Sequence, residues 1–391
     1  MKKKILLVRA TPNDLDINGY NVQQVGLGKV FVKLGYDYDF ITFKKDGKSC
    51  KEFVFFEEGG HRAKVIEKPR HRFFRWGINM EIAKKEFLNQ YDLIICQEYY
   101  QLQSYLCSKA SNKVVLYSGP YYNLFMPKWL SPIYDRFIGP KLNKQVKCKF
   151  VKSVLAEQFL KGKGYTNLFN IGVGLDSSRF DNEKTIKPET QKLVDIMTNN
   201  RCILYVGALS DRKNVPFLLA TYQKVLEQAP DVKFVMIGKS VINPLMKFIG
   251  KKDSDYEKEC MANVPKDVRD GIIRIQRLEN PQLKYIYPLA KAFLLPSKLE
   301  IFGMVLLEAM YLGTPVVTSY NGGSMTLIDG RETGFMVPEF DVAKWTDAIM
   351  KFLNDPEYTS RVTKNASELI RDEYNWPIIA KKFLTISGTE V

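Results

Sequence analysis

Histidine and cysteine are scarce in this sequence of 391 residues. The two histidines, His61 and His71, lie in a basic, arginine-rich stretch, which favours a surface or lipid-facing position over a catalytic one. The six cysteines form no C-x-x-C pair and stand mostly beside apolar residues, as reduced core thiols do. They are Cys50, Cys96, Cys107, Cys148, Cys202 and Cys260. Neither a disulfide framework nor a cysteine-ligated metal centre is expected.

Long apolar runs are also missing. The chain opens with Lys2, Lys3 and Lys4, but the apolar run that follows, residues 5–8, ends at Arg9 and is too short for the core of a signal peptide. No other run approaches the roughly 20 apolar residues that span the hydrocarbon of a bilayer. We therefore expect a cytoplasmic protein whose contact with a membrane is peripheral, on the inner face of the cell membrane.

Positive charge is abundant and unevenly placed. The net charge is +15. Residues 1–200 hold 33 Lys and Arg against 20 Asp and Glu, and residues 61–152 alone hold 17 against 6. One surface of the first half of the chain is therefore expected to be strongly electropositive and to face an anionic partner.

The length and the segment pattern favour two α/β domains. A chain of this length exceeds what one hydrophobic core usually supports, and 45% hydrophobic with 26% charged residues is a globular composition. Strand-like and helix-like segments alternate, which predicts parallel, doubly wound sheets. The predicted strands are residues 5–8, 38–43, 93–96, 114–117 and 149–151, then 202–206, 233–237, 272–275, 292–295 and 316–318; the predicted helices include residues 19–34, 80–89, 216–228 and 376–384.

The domain boundary is expected near residue 190. The segment 181–189 is polar and contains Pro188, which suits an interdomain linker. We predict domains at residues 1–190 and 191–372, followed by a C-terminal helix in residues 373–391 that crosses back to the first domain. Two such domains facing each other would form a central cleft, where strand ends and helix N-termini can bind a nucleotide diphosphate.

The strongest local signal is residues 297–310, which contain Glu300 and Glu308. The turn at Gly303 predicts the start of a helix whose free N–H groups would suit a diphosphate. Glu308, one turn further into this helix, could accept both hydroxyls of a ribose, and Glu300 in the loop would reach a sugar. The same spacing also fits an amphipathic helix with one solvated glutamate and one loop glutamate.

A resemblance to a known family extends this signal. Residues 297–310 with the segments after them resemble the donor-binding signature of family 4 retaining glycosyltransferases (glycosyl transferases group 1) of the GT-B fold. Those segments are Gly313-Thr314-Pro315-Val316-Val317, Gly322-Gly323, Asp329-Gly330 and Gly334-Phe335. Weaker matches in the family's order are Gly35-Tyr36, Gly174-Leu175-Asp176 with Phe180, Val206-Gly207 through Lys213, and Met236-Ile237-Gly238. The resemblance covers nearly the whole chain and implies two Rossmann-like domains facing a central cleft.

The resemblance implies a nucleotide-sugar site in the C-terminal domain and an acceptor side in the N-terminal one. It assigns the ribose to Glu308 and the transferred sugar to Glu300, and it gives Lys213 the task of neutralising the leaving phosphate. Arg212 would assist, because Ala208 stands where the family usually has an arginine. The other donor-binding positions implied are Phe302, Gly303, Met304, Val305, Gly207, Gly19 and Tyr20. At Gly19 only one glycine of the usual pair is present, so a turn without a ligand is the alternative there.

Two departures from the family bear on activity. Many relatives carry a histidine after the strand at residues 114–117, where this chain has Ser118 and Gly119, which we expect on the acceptor side. Thr326 stands where the family often has a glutamate. The chain is therefore either an active transferase or a weakened homologue that binds nucleotide sugar and supports a partner glycosyltransferase.

The expected chemistry needs neither metal nor cofactor. Transfer with retention requires stabilisation of the departing diphosphate, which backbone amides and Lys213 can supply. We expect front-face substitution, in which the acceptor hydroxyl gives its proton to the leaving phosphate oxygen. Asp253-Ser254-Asp255 has the spelling of a metal motif, but it lies in a lysine-rich loop and is interpreted as solvated surface. The donor is expected to be a UDP-sugar and the acceptor a lipid-linked or polysaccharide glycan of the cell surface.

Two segments of the first half mix bases with aromatic residues. Residues 61–85 contain Phe73, Phe74 and Trp76, and residues 121–152 contain Phe125, Trp129, Tyr134 and Phe137. Such mixtures favour an anionic lipid surface, where rings insert and Lys or Arg meets head groups. The alternative places these aromatic side chains in the core. Nucleic acid is not expected as a partner because no recognised binding motif accompanies the charge. The sequence leaves the oligomeric state open.

Overall fold

The chain divides into two compact units. The computed structural model describes residues 2–10, 15, 17, 23–44, 50–73, 76–123, 126–242 and 252–389. The first unit combines Met1–Gly174 with Tyr374–Val391, and the second is Leu175–Glu373. The division therefore falls between residues 174 and 175, earlier than the expected boundary near residue 190.

Hydrogen bonds explain why the polar segment 181–189 belongs to the second unit. The backbone N–H of Lys187 donates to Gln282 Oε1 at 2.9 Å, and Gln282 Nε2 donates to the carbonyl of Thr185 at 2.8 Å. The ammonium of Lys284 donates to the carbonyls of Phe180 and Glu183. These contacts fix the segment, so it is not the free linker that its composition predicts.

The first unit is built on an eight-stranded sheet. Its strands are β1 (Lys4–Arg9), β2 (Asp37–Phe43), β3 (Lys51–Glu58), β4 (His61–Lys68), β7 (Leu93–Gln97), β8 (Val114–Ser118), β9 (Lys149–Val151) and β10 (Leu168–Asn170), with a separate hairpin of β5 (His71–Phe73) and β6 (Trp76–Ile78). Its helices are α1 (Gln23–Lys33), α2 (Lys85–Leu88), α3 (Leu102–Ala110), α4 (Leu130–Phe137), α5 (Gly139–Gln145), α6 (Val154–Gly162) and, from the end of the chain, α16 (Trp376–Ser387).

The order of this sheet is β10-β9-β8-β7-β1-β2-β4-β3. All neighbouring strands pair in parallel except β3, which pairs antiparallel with β4. The strands predicted in this half are confirmed, whereas β3, β4, β5, β6 and β10 were not predicted. Residues 80–89, predicted as one helix, form a 3-10 turn and the short α2 because Lys84 between them is extended.

The second unit contains a six-stranded, all-parallel sheet. Its strands are β11 (Cys202–Val206), β12 (Lys233–Ile237), β13 (Ile272–Ile275), β14 (Ala290–Leu295), β15 (Val316–Thr318) and β16 (Phe335–Met336). Its helices are α7 (Ser178–Asp181), α8 (Pro188–Thr198), α9 (Val215–Gln228), α10 (Asp253–Ala262), α11 (Lys266–Asp270), α12 (Met304–Tyr311), α13 (Gly322–Leu327), α14 (Val342–Asn354) and α15 (Pro356–Glu373). The sheet order β13-β12-β11-β14-β15-β16 is that of a dinucleotide-binding Rossmann sheet, so the α/β prediction is confirmed in both units.

The aromatic residues of the predicted lipid-facing segments divide between core and surface. Trp76 and Tyr134 are each 2% exposed and pack edge to face with ring centroids 6.2 Å apart, so a lipid-facing position is wrong for both. Trp129 and Phe137 are 62% and 60% exposed. Phe74 and Phe125 lie outside the described residues. In the described parts of the chain, every helix is too short or too polar to span a bilayer.

Helix α16 is part of the core of the first unit, although it comes from the end of the chain. Its Phe383 is fully buried, and its ring packs edge to face against Tyr117 of β8 and Phe150 of β9, with centroids 5.1 and 4.6 Å away. The helix therefore covers two strands that are far from it in sequence.

Replacing Phe383 with alanine should destabilise the first unit by about 3–5 kcal/mol, because it removes a buried ring and leaves a cavity. Phe383→Leu should cost less. Urea unfolding followed by circular dichroism would measure both. Phe137→Ala, which removes a 60% exposed ring, is the matched control. Equal losses for Phe383→Ala and Phe137→Ala would contradict this role of α16.

Candidate active site

Two loops of the second unit meet at the centre of its sheet. Strands β11 and β14 are neighbours in the sheet. After β11 the next strand, β12, is added on one side of this pair, and after β14 the next strand, β15, is added on the other side. In open parallel sheets a ligand binds at such a switch point, outside the carboxyl ends of the strands. The loop after β11 contains Arg212 and Lys213, and the loop after β14 contains Glu300 and Gly303. The sheet order thus brings together residues that the sequence separates.

The three residues predicted to act in catalysis form one ion cluster. Lys213 Nζ lies 2.5 Å and Arg212 Nη1 3.0 Å from the same carboxylate oxygen of Glu300, Oε2. The side chain of Lys213 is 8% exposed and that of Glu300 16%, whereas that of Arg212 is 48% exposed. Lys213 is therefore the inner cation of the cluster and Arg212 the outer one.

Opposing effects set the charges in this cluster. Burial alone would raise the pKa of Glu300, but the positive charges of Lys213 and Arg212 outweigh it and hold that pKa below its usual value. Burial lowers the pKa of Lys213, and the charge of Glu300 offsets part of this effect. Each group therefore depends on the other for its charged form.

Further bonds join the two loops beside the cluster. The N–H of Lys298 donates to the carbonyl of Arg212 at 2.9 Å, and Arg212 Nη1 donates to the carbonyl of Leu299 at 2.8 Å. On the exposed side, Lys298 Nζ lies 2.7 Å from Asp211 Oδ1. The backbone of each loop is thus fixed by the other.

The glycines around helix α12 have geometric roles. Gly303 precedes the helix with φ of +82°, a left-handed conformation that favours glycine. A Cβ atom on Gly323 would lie 1.9 Å from the carbonyl oxygen of Phe302, so only glycine allows this approach. The predicted donor-binding residues Met304 and Val305 form the first turn of α12.

Glu308 lies one turn further along α12 and is 4% exposed. Its Oε1 accepts a hydrogen bond from Asn280 Nδ2 at 3.0 Å, and its Oε2 lies 3.5 Å from the hydroxyl of Tyr287. The carboxylate of Glu308 is thus buried and hydrogen-bonded, whereas the amphipathic-helix alternative predicts a solvated side chain. Asn280 and Tyr287 were not predicted, because no sequence motif links them to Glu308.

The other residues singled out from the sequence are Gly207, Gly19, Tyr20 and Thr326. Gly207 follows β11 and its N–H donates to the carbonyl of Ile237 at 2.9 Å, so this amide is already used in the sheet. Gly19 and Tyr20 lie outside the described residues. Thr326 Oγ1 donates to the carbonyl of Gly322 at 2.7 Å, within α13.

Ser118 and Gly119 are expected on the acceptor side. Ser118 is the last residue of β8, and Gly119 follows it, so both lie at the carboxyl end of this strand. Glu98 Oε2 accepts from Ser118 Oγ at 3.1 Å and from the N–H of Gly119 at 3.0 Å. Lys152 Nζ lies 3.6 Å from the other oxygen of Glu98. Neither Glu98 nor Lys152 was predicted as a site residue.

The acidic pair Asp253 and Asp255 has a structural role. Asp253 Oδ1 accepts from the N–H of Ile242 at 2.9 Å, and Asp255 Oδ2 accepts from the N–H of Lys252 at 2.8 Å, at the start of α10. Within the described ranges, no three His, Cys, Asp or Glu side chains gather as a metal site would require.

Comparison with known proteins agrees with this geometry. Residues 187–369 match the family model of glycosyl transferases group 1. Alpha-D-kanosaminyltransferase of Streptomyces kanamyceticus is 28% identical over 173 residues, 44% of this chain and 42% of that protein. The chain spans about half the length of the curated relatives it matches, from 42% to 62% for three of them.

Solved structures resemble the whole chain at low identity. Sucrose-phosphate synthase from Thermosynechococcus elongatus has a TM-score of 0.71 at 20% identity, with 98% of each chain covered. HepE from Anabaena, solved in complex with UDP and glucose, has a TM-score of 0.67 at 17% identity and covers 99% of this chain and 100% of its own. These likenesses show the fold, which is GT-B. Residues 187–369, which make up most of the second unit, therefore belong to the glycosyl transferases group 1 family.

Proposed function

We propose that this protein is a family 4 retaining glycosyltransferase that moves a sugar from a nucleoside diphosphate donor to a lipid-linked or polysaccharide acceptor. The observation that carries the proposal is the Lys213–Glu300 pair beside the first turn of α12, at the switch point of a Rossmann sheet. A buried cation and a helix N-terminus together suit a diphosphate.

In the proposed chemistry, the cations of the site act on the diphosphate and its glutamates bind the two sugars. Lys213, with Arg212 outside it, neutralises the charge that grows on the departing diphosphate. Glu300 binds hydroxyls of the transferred sugar, and Glu308 binds the ribose. The acceptor hydroxyl attacks the anomeric carbon on the face that the diphosphate leaves, and its proton passes to the leaving phosphate oxygen. The chain's own cations provide the stabilisation, so the proposal includes no metal.

UDP is the proposed carrier of the donor sugar. HepE, which shares the fold, was solved with UDP and glucose, and this supports a uridine nucleotide as the first ligand to test. Ser118 and Gly119 in place of the family's usual histidine favour the second candidate, a weakened homologue that binds the donor and supports a partner enzyme. Donor binding without turnover across a panel of UDP- and GDP-sugars would identify that case.

An exposed apolar stripe supports the proposed membrane contact. Trp129, Ile133 and Phe137 are 62%, 49% and 60% exposed and recur every four residues, so they lie along one side of α4. Exposed basic residues flank them: Lys128, Arg136, Lys141, Lys144 and Lys147. Apolar side chains that insert and cations that meet head groups are the features of an anionic bilayer surface, which we propose as the partner.

Glu300→Gln should separate binding from turnover. Turnover of the UDP-sugar should fall at least about a hundredfold, because a contact to the reacting sugar is lost. UDP affinity should stay equal or increase, because Lys213 is released for the phosphates. Steady-state kinetics and calorimetric titration with UDP measure the two effects. Glu279→Gln, which alters an exposed carboxylate of the same unit, is the control. Unchanged turnover in Glu300→Gln would refute the assignment.

Donor binding should weaken as the pH rises through the pKa of Lys213, which lies below the usual lysine value because of burial. Only the protonated ammonium neutralises the diphosphate, so affinity is full below that pKa and lost above it. Since Glu300 raises the pKa of Lys213, Glu300→Gln should move the loss to lower pH.

Calorimetric titration of UDP at a series of pH values tests this, with Lys213→Met as the baseline that contains only the ligand's own titration. Lys213→Met should bind UDP at least about tenfold more weakly at neutral pH. Lys298→Met, which removes an exposed lysine of the same loops, should behave as the unmodified protein. If Glu300→Gln lost its affinity for UDP at a higher pH than the unmodified protein, Glu300 would not be the group that keeps Lys213 charged.

Replacing the stripe with serine (Trp129→Ser, Ile133→Ser, Phe137→Ser) should abolish flotation with phosphatidylcholine vesicles that contain added phosphatidylglycerol. Unmodified protein should float with these vesicles and much less with phosphatidylcholine alone. Val54→Ser, which changes a 43% exposed side chain outside the stripe, should float normally. Equal flotation of all variants, or equal recovery with both vesicle types, would contradict the proposal.

A further inference from the structure

A cavity of about 390 Å³ lies at the amino ends of four neighbouring strands of the first unit. The residues that come directly before these strands line it: Lys3 before β1, Asp92 before β7, Lys113 before β8 and Cys148 before β9. Residues 387–389, at the end of α16, line it as well. The cavity is therefore at the opposite edge of this sheet from the carboxyl end of β8, where the acceptor side is expected.

The charged side chains that line the cavity are mostly cations. Lys3, Lys113 and Lys147 bring three ammonium groups, against the single carboxylate of Asp92. All three lysines are exposed. Lys113 Nζ donates to the carbonyl of Tyr91 at 2.7 Å, but in the described part of the chain no carboxylate pairs with Lys113 or Lys147. Positive charge is therefore in excess in this cavity.

Backbone oxygens around the cavity are already engaged in the fold. The carbonyl of Lys113 accepts from the N–H of Ile94 at 3.1 Å, and that of Cys148 accepts from the N–H of Leu116 at 3.2 Å. In the last turn of α16, the carbonyl of Ile386 accepts from Cys148 Sγ at 3.4 Å. The lining thus offers ammonium donors in excess of acceptors, and an anionic ligand would supply the missing acceptors.

Two further lysines lead from the exposed stripe on α4 towards the cavity. Lys141 and Lys144 are both exposed, and because they are three residues apart on α5 they lie on the same side of it. Lys147 follows two residues after the end of this helix. Helix α5 has 7 residues and is therefore only about 10 Å long. An anion attracted to the basic surface beside the stripe is thus close to the cavity.

We propose that this cavity binds a phosphate group through the ammonium groups of Lys3, Lys113 and Lys147. A phosphate brings both the negative charge and the acceptor oxygens that the lining lacks, and lysine is a common partner for it as a point charge. The volume is that of a small-molecule site, so an attached glycerol or sugar can enter with the phosphate. The site is separate from the donor site of the second unit and does not depend on the proposed transfer.

Variants of the lining should change phosphate affinity in opposite directions. Lys113→Gln and Lys147→Gln should each weaken binding of inorganic phosphate about fivefold, the upper range for one exposed ion pair. Asp92→Asn should tighten binding, because it removes the carboxylate and keeps an oxygen for the N–H of Lys4, which Asp92 Oδ2 accepts at 2.7 Å. Lys68→Gln is the matched control, since Lys68 ends β4 at the opposite edge of the sheet.

The measurement is calorimetric titration of the full chain with inorganic phosphate, with UDP saturating so that the second unit's diphosphate site is filled. Circular dichroism confirms that each variant is folded. Lys68→Gln should bind phosphate as the unmodified protein does. Equal affinity in the unmodified protein, Lys113→Gln, Lys147→Gln and Asp92→Asn overturns the proposal, because phosphate would then bind elsewhere or not at all.

Cys148 provides a second readout inside the cavity. Its thiol is half-buried and lines the cavity, whereas Cys50 is exposed and lies before β3. Inorganic phosphate should slow the alkylation of Cys148 by N-ethylmaleimide and leave that of Cys50 unchanged, as mass spectrometry of the labelled peptides would measure. The double variant Lys113→Gln, Lys147→Gln should lose this protection. Alkylation of Cys148 at the same rate with and without phosphate refutes the site.

Two phosphate esters distinguish the source of the ligand. Glycerol 3-phosphate represents a soluble metabolite, and dihexanoyl phosphatidylglycerol represents the head group of an anionic lipid. Tighter binding of one ester than of inorganic phosphate, reduced in Lys147→Gln, supports the proposal and identifies the source. If the unmodified protein and Lys147→Gln bind both esters equally well, the proposal is wrong.

Failure of the proposed function has a different signature. UDP affinity should be the same in all the cavity variants, because none of them changes the second unit. Absence of UDP binding by the unmodified protein would refute the donor site and would say nothing against the cavity. The phosphate titrations are then made on Lys213→Met, in which the cation of the second unit is removed, and the signs expected for the cavity variants remain the same.

Discussion

The second unit depends on one constraint: a buried lysine and a buried glutamate, on loops from two neighbouring strands, must stay charged together. Lys213 and Glu300 lie 2.5 Å apart, and each shifts the other towards its ionised form. Buried ion pairs contribute little net stability, but losing one partner leaves an uncompensated charge. The pair joins the loop after β11 to the loop after β14, and the bonds of Lys298 and Arg212 join the same two loops.

The sequence predicted the parts of the fold whose signals are local. Apolar runs such as residues 202–206 and 233–237 become buried parallel strands because they are covered on both faces. Strands β3 and β4 were missed because their side chains are more mixed, with charged residues at exposed positions of Lys51–Glu58. Trp76 was misjudged for a related reason: composition alone does not say which way a ring in a basic segment points, and packing places it in the core.

In the candidate site, too, the relations that are local in sequence could be predicted and the long-range ones could not. Glu300, Gly303 and Glu308 lie within one loop and helix, so their relation could be predicted from spacing and resemblance. Asn280 precedes β14 and Glu308 follows it, yet the two side chains are in contact. Glu98 meets Lys152 because β7, β8 and β9 are neighbours in the sheet. Such pairs depend on sheet order, and no pattern along the chain records them.

The division of the chain also bears on the order of folding during synthesis. The second unit is one continuous segment, Leu175–Glu373, whereas the first needs α16 to cover Tyr117 and Phe150. Because α16 is synthesised after the whole of the second unit, the sheet face that α16 covers stays uncovered until the second unit has been made. Chaperones that shield apolar strands would thus act on the N-terminal half of the nascent chain until α16 has been synthesised.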